Sequence, residues 1–164
     1  MSLSDRRTLI FSLAALPLAA CGFEPVYAPG SGASTLVGRT SFDTPVNEDT
    51  FDLVRQLERR LGRADSAQFT LSVVPSVAEE ALAIVGSQSI TRINIVGSAN
   101  YSLRDTGTGQ VLLSGTVDTF TSYSASGNTA STVAARRDAR NRLMISLADL
   151  TVTKIEAGAD KLAA

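Results

Sequence analysis

The sequence predicts a two-layer α+β domain, a four-stranded mixed sheet carrying two helices on one face, in the order β-α-β-β-β-α. Three observations carry that reading. Apolar and polar residues alternate in four separate runs, the mark of strands with one buried face. Two further segments repeat their apolar residues at helical spacing, one between the first and second runs and one after the fourth. The outward strand positions are largely Ser, Thr, Asn and Arg, so one sheet face meets water and both helical stripes cover the other.

Ahead of this domain, residues 1–20 form a charged start with Arg6 and Arg7, an apolar stretch from Leu9 to Leu18, and the small pair Ala19-Ala20. That is the pattern of a secretory signal peptide. It contains Pro17 and falls short of the roughly 20 apolar residues a membrane-spanning helix needs. Thr8-Leu9-Ile10 is a poor continuation of a twin-arginine signal, which favours the general secretion route. Leu18-Ala19-Ala20-Cys21 matches the bacterial lipobox, in which the cysteine thiol takes a diacylglycerol, the leader is cut before the cysteine, and the new amine is acylated. The competing reading makes Cys21 an inert, buried thiol, although it is the one cysteine of the chain. Two or three acyl chains anchor stably where a single chain is marginal. Gly22 stands where the inner-membrane retention signal has Asp, so resemblance to sorted lipoproteins implies the outer membrane.

Residues 21–34 are rich in Gly, Pro, Ser and Ala, with Pro25 and Pro29 blocking helix, and read as an extended tether to a single domain at 35–164. In the first strand Leu36, Gly38, Thr40 and Phe42 alternate with Val37, Arg39 and Ser41 up to Asp43-Thr44-Pro45. Asn47 or Asp49 offers an N-cap to a helix with Leu53, Val54, Leu57 and Leu61 on one side, Arg55, Arg59 and Arg63 away from it, and Gly62 as its stop. Phe69, Leu71 and Val73 mark a second strand that Pro75 interrupts, with Glu79-Glu80 on a bulged edge before a turn at residues 86–89. The third strand puts Ile93, Ile95, Ala99, Tyr101 and Leu103 on one face and Arg92, Asn94, Ser98, Asn100, Ser102 and Arg104 on the other. A hairpin at residues 105–109 leads to the fourth strand, with Val111, Leu113 and Val117 inward. From Thr129 to about Glu156 the pattern is helical, with Leu143, Met144, Leu147 and Leu150 as its stripe and Gly158 as its end.

Composition excludes most chemistry. The chain has no His and one Cys, which removes Cys/His zinc clusters, imidazole bases and intramolecular disulfides. Neither Lys154 nor Lys161 follows a Ser by three positions, and Gly107-Thr108-Gly109 lies in a hairpin and opens no phosphate-cradling helix. The expectation is a non-enzymatic protein with no metal and no cofactor beyond covalent lipid on Cys21. Without the leader the net charge is about −2, so nucleic acid is not an expected partner.

The run Cys21-Gly22-Phe23-Glu24-Pro25-Val26-Tyr27 resembles the start of mature lipopolysaccharide (LPS) assembly lipoproteins, the LptE family, above all its alphaproteobacterial members. Tyr123, the Ser-rich loop after it, and the Ala- and Arg-rich stretch at residues 132–140 extend the resemblance to the end of the domain. The resemblance implies a lipid-anchored protein of the outer membrane that sits in the lumen of the LPS-export β-barrel LptD, supports its assembly, plugs it, and helps pass LPS to the cell surface. An auxiliary lipoprotein of an ABC-type lipid or secretion system is the alternative. The resemblance also implies LPS contact near the turn at residues 86–89, for which Arg92 is the nearest basic residue. Arg136 and Arg140 fall in phase with Leu147 on the last helix, so this half either projects beyond the sheet into water or offers its guanidinium groups to carboxylates or phosphates of LPS or the barrel.

Overall fold

The computed structural model describes Tyr27 and residues 31–81, 92–125 and 128–159. Its elements are α1 (Gly32–Leu36), β1 (Thr40–Phe42), α2 (Glu48–Leu61), β2 (Phe69–Ala81), β3 (Arg92–Asp105), β4 (Val111–Ser124) and α3 (Thr129–Gly158). The strands form one sheet in the order β1-β2-β3-β4, with β1 parallel to β2 and the other pairs antiparallel. The α+β class and the mixed four-stranded sheet are those predicted, with one helix added. Among the described residues no helix is long and apolar enough to cross a membrane.

The added helix corrects the N-terminal reading. Gly32–Leu36, expected as tether and first strand, is helical because the Ser31 side chain caps it by accepting from the Ser34 N–H at 3.2 Å, and because Ala33 and Leu36 have a core to enter. Gly38, at φ +70°, then turns the chain, its N–H donating to the Leu61 carbonyl at 2.8 Å, and β1 shrinks to three residues. The expected signal peptide, Cys21 and the turn expected at residues 86–89 lie outside the described residues.

Helix α2 follows its sequence closely. Asn47 caps it in a reciprocal box with Thr50, Leu53, Leu57 and Leu61 are buried, and Gly62 at φ +75° ends it. Strand β2 departs from expectation, running unbroken through Pro75 and without a bulge at Glu79-Glu80. Proline is tolerated there because β1 pairs only with Phe69–Leu71, and beyond Leu71 no described strand flanks β2 on that side. The irregularity falls instead at Leu103/Arg104, where β4 skips Leu112. That bulge sets Val111 opposite Arg104 on the outer face, 43 % exposed, rather than inward with Leu113 and Val117. In the β3–β4 hairpin the Thr108 N–H donates to Asp105 Oδ1 at 2.7 Å, and this bond, with that from the Thr108 hydroxyl, holds the Asp105 carboxyl below its ordinary range.

The core lies between sheet and helices. Leu71, Ile95, Ala99, Leu103, Val117 and Tyr123 face Leu53, Leu57 and Leu61 of α2 and Leu143, Met144, Leu147, Val152 and Ile155 of α3. Leu150, expected in the stripe, is 37 % exposed, and Ala148, Thr151 and Ile155 take its place because the buried arc turns about α3 past Leu147. The buried hydroxyls are satisfied locally, Thr151 donating to the Leu147 carbonyl at 2.8 Å and Thr40 to that of Leu36 at 2.9 Å. Gly97 lets α3 approach β3: a Cβ there would stand 2.8 Å from Leu143 Cδ2 and 3.1 Å from Leu147 Cδ1. Helices α2 and α3 run in the same direction, since Glu48 and Asp49 meet Arg137 and Arg140 at one end while Arg60 meets Asp149 towards the other.

Replacing Gly97 by Val should destabilise the domain by about 1–3 kcal/mol through overpacking against Leu143 and Leu147. Urea unfolding checks this, and Ser98→Val on the outward side of the same strand is the control.

Candidate functional site

Two surfaces combine enough chemistry to be functional. The first is the open face of the sheet, which no described element covers. Strand register arranges it in transverse rows: Ala78, Val96 and Phe120 form an apolar row, with Ser76, Ser98 and Asp118 on one side and Glu80, Asn94 and Ser122 on the other. Phe120 is 69 % exposed and Val74, two positions from Ser76, 63 %. Beside the apolar row a shallow hollow of about 280 Å³ is lined by Asn94, Val96, Asp118, Thr119 and Phe120. Further along, Thr116 donates to Asn100 at 2.7 Å, and the Ser102 hydroxyl, shielded from water, has no protein partner. The face is thus mostly hydroxyl and amide, with one band able to take an apolar contact. Arg92 lies at the end of this surface, in register with Ser124, exposed and without a side-chain partner among the described residues.

The second surface is the N-terminal half of α3. Its arginines are each paired with one of the chain's own carboxylates, Arg136 and Arg137 while still more than half exposed. Arg140 grips Asp49 with two nitrogens, at 2.5 and 3.2 Å, and its third nitrogen lies 3.6 Å from Glu79. Arg136 bonds the same Glu79 at 2.7 Å, Arg137 meets Glu48 at 2.6 Å, and Arg142 pairs with Asp138 one turn away. The hydrogen bonds that Arg140 donates to Asp49 raise its pKa above its ordinary value against the opposing effect of burial. Glu79 points to the helix side and ties the far part of β2 to α3, which fixes the end of the sheet from which the chain leaves towards Arg92.

Of the three predicted contact residues, the structure therefore brings Arg136 and Arg140 together through Glu79 and sets Arg92 apart on the open face. Sequence reasoning missed Glu79, Asp49 and Phe120. The in-phase arginines on α3 and the acidic first turn of α2 were the available signals for the ion pairs; Phe120 had no signal beyond its outward parity in β4.

Against known proteins, the model of the LptE family, lipopolysaccharide-assembly, matches residues 39–155. The chain belongs to that family, and it is accordingly a lipopolysaccharide-assembly lipoprotein. A search of curated proteins gives no match. Among solved structures, a lipoprotein from Caulobacter crescentus superposes with TM-score 0.65 at 19 % identity, covering 80 % of this chain and 98 % of the other. A minor lipoprotein from Acinetobacter baumannii follows at TM-score 0.60 and 18 % identity, covering 73 % of this chain and 91 % of that one. The rare lipoprotein B from Shewanella oneidensis gives 0.55 at 14 % identity, with coverage of 77 % and 98 %. At these identities the superpositions speak for a shared fold.

Because Arg140 is two-thirds shielded and doubly bonded, Arg140→Ala should lower stability by about 1 kcal/mol, between the worth of a surface pair and that of a shielded charge-assisted bond. Arg137→Ala, whose pair with Glu48 is largely exposed, should leave the melting temperature unchanged. Calorimetry on the two variants side by side makes the comparison.

Proposed function

We propose that this protein is a non-enzymatic outer-membrane lipoprotein, anchored through acyl chains on Cys21, that seats in the lumen of the LPS-export barrel LptD. There it supports barrel assembly, occludes the pore and assists the passage of LPS to the outer leaflet. The observation that carries this reading is the family match across nearly the whole folded domain, residues 39–155. The lipobox ahead of it supplies the anchor, and the open sheet face supports the seating: lumens of outer-membrane barrels are polar, and this face offers hydroxyl and amide groups around a single apolar row. Arg92, an exposed guanidinium of that surface with no side-chain partner among the described residues, is the residue we assign to LPS phosphate or carboxylate contact. Arg136 and Arg140 support the surface from behind by holding Glu79.

The deciding experiment is extraction of the native protein in mild detergent followed by identification of what copurifies. A stoichiometric LptD-type barrel supports the proposal, as does loss of surface LPS and of mature barrel on depletion. Absence of any barrel partner, with both unaffected by depletion, would sink it and leave the auxiliary role in an ABC-type system.

Two variants test its parts. Cys21→Ser should leave an unprocessed precursor that incorporates no palmitate, because the chain has no other thiol; a mature-sized, labelled product would refute the anchor. Arg92→Glu should weaken LPS binding by the purified protein severalfold without moving its melting temperature, since its side chain bonds nothing among the described residues; unchanged binding would remove Arg92 from the contact.

A further inference from the structure

The chain approaches the domain at one particular end. Tyr27 donates its phenol hydrogen to Glu156 in the last turns of α3, and Arg60, near the end of α2, faces the same oxygen. The carboxylate of Glu156, by accepting that hydrogen bond, raises the Tyr27 pKa, which keeps the phenol protonated as a donor. Ser31, capping α1, and Gly38, bonded to Leu61, continue the path at this same end, where the α2–β2 loop and the β3–β4 hairpin also lie. The other end carries Arg92, Ser124 and the start of α3.

We infer that Tyr27 is a clamp that sets the point from which the domain hangs on its lipid, so that before the domain enters the barrel the end holding Gly62, Ser66 and the β3–β4 hairpin lies against the bilayer surface and the Arg92 end points away from it. The inference rests on acylation of Cys21. Its force is a matter of reach. From Cys21 to Tyr27 a fully stretched chain spans at most ~22 Å, whereas a chain first held at Ser31 would span at most ~36 Å. Helix α3, with its 30 residues, makes the domain about 45 Å long. The short tether is less than half that length and cannot let the Arg92 end fall to the membrane in place of the clamped end; the long one nearly can. Glu156, which takes the phenol hydrogen, sits on a helix that the core fixes against the sheet, and Arg60 of α2 adds its positive charge nearby.

The test uses the full acylated lipoprotein in phosphatidylethanolamine–phosphatidylglycerol vesicles, with a fluorophore on Ser66→Cys or on Ala130→Cys, both exposed, and a quencher on the lipid headgroups. The Ser66 probe should be quenched severalfold more than the Ala130 probe, and Tyr27→Phe or Glu156→Ala should bring the two towards parity with the melting temperature unchanged. Equal quenching in the parent protein, or a ratio that neither variant moves, would overturn the clamp. A photoreactive benzoylphenylalanine at position 27 reads docking without the lipid: crosslinks to peptides containing Arg60 or Glu156 support it, and their absence overturns it. If those crosslinks form but the chain incorporates no palmitate, the anchor itself is wrong and the inferred orientation falls with it.

Discussion

Everything in this domain depends on the seating of one long helix across the sheet at a glycine. Gly97 presents no side chain where Leu143 and Leu147 descend, so α3 lies close to β3, and its other apolar residues join the core that also holds Leu103, Val117 and Tyr123. Helix α2 completes the layer over β2 with Leu53, Leu57 and Leu61. Because one face of the sheet absorbs both helical stripes, the opposite face is left to other purposes, and its composition of hydroxyls and amides with a single apolar row follows from strand alternation alone.

The ion pairs are the second layer of the same arrangement. Arginines that share the helix azimuth of the core leucines would be costly to leave unpaired where they are part-shielded, and each finds an acid from another element: Asp49 at the start of α2, Glu79 near the end of β2. The acids at the start of α2 also suit the positive end of that helix, so the same carboxylates serve two electrostatic ends. The strand end that bears Arg92 is consequently held by the helix on its far side. Support from behind and exposure in front are complementary features of one sheet.

Much of this was legible in the residues. Strand alternation in β3, the Asn47 cap and leucine stripe of α2, and the helical run after Asn128 each rest on neighbours within a few positions, where side-chain direction follows from backbone period. The misreadings share a different cause. Pro75 was tolerated because its strand's neighbour ends at Phe42; Val111 turned outward because a bulge sits beside it; Gly32–Leu36 became helix because Ala33 and Leu36 had a core to enter. In each, what lay beside the segment in space overrode the local pattern.

By itself, then, the sequence determined the fold class, the order of the elements from β1 onward, most of the apolar faces and the lipobox pattern with its lone cysteine, all properties of residues close together along the chain. Tertiary structure alone decided which charge meets which. Arg136 and Glu79 are separated by 57 positions, and Arg140 and Asp49 by 91, so their meeting depends on the register of two helices and a strand against one another. Coulombic pairing needs contact within a few ångströms, and no periodicity along a single segment carries that distance.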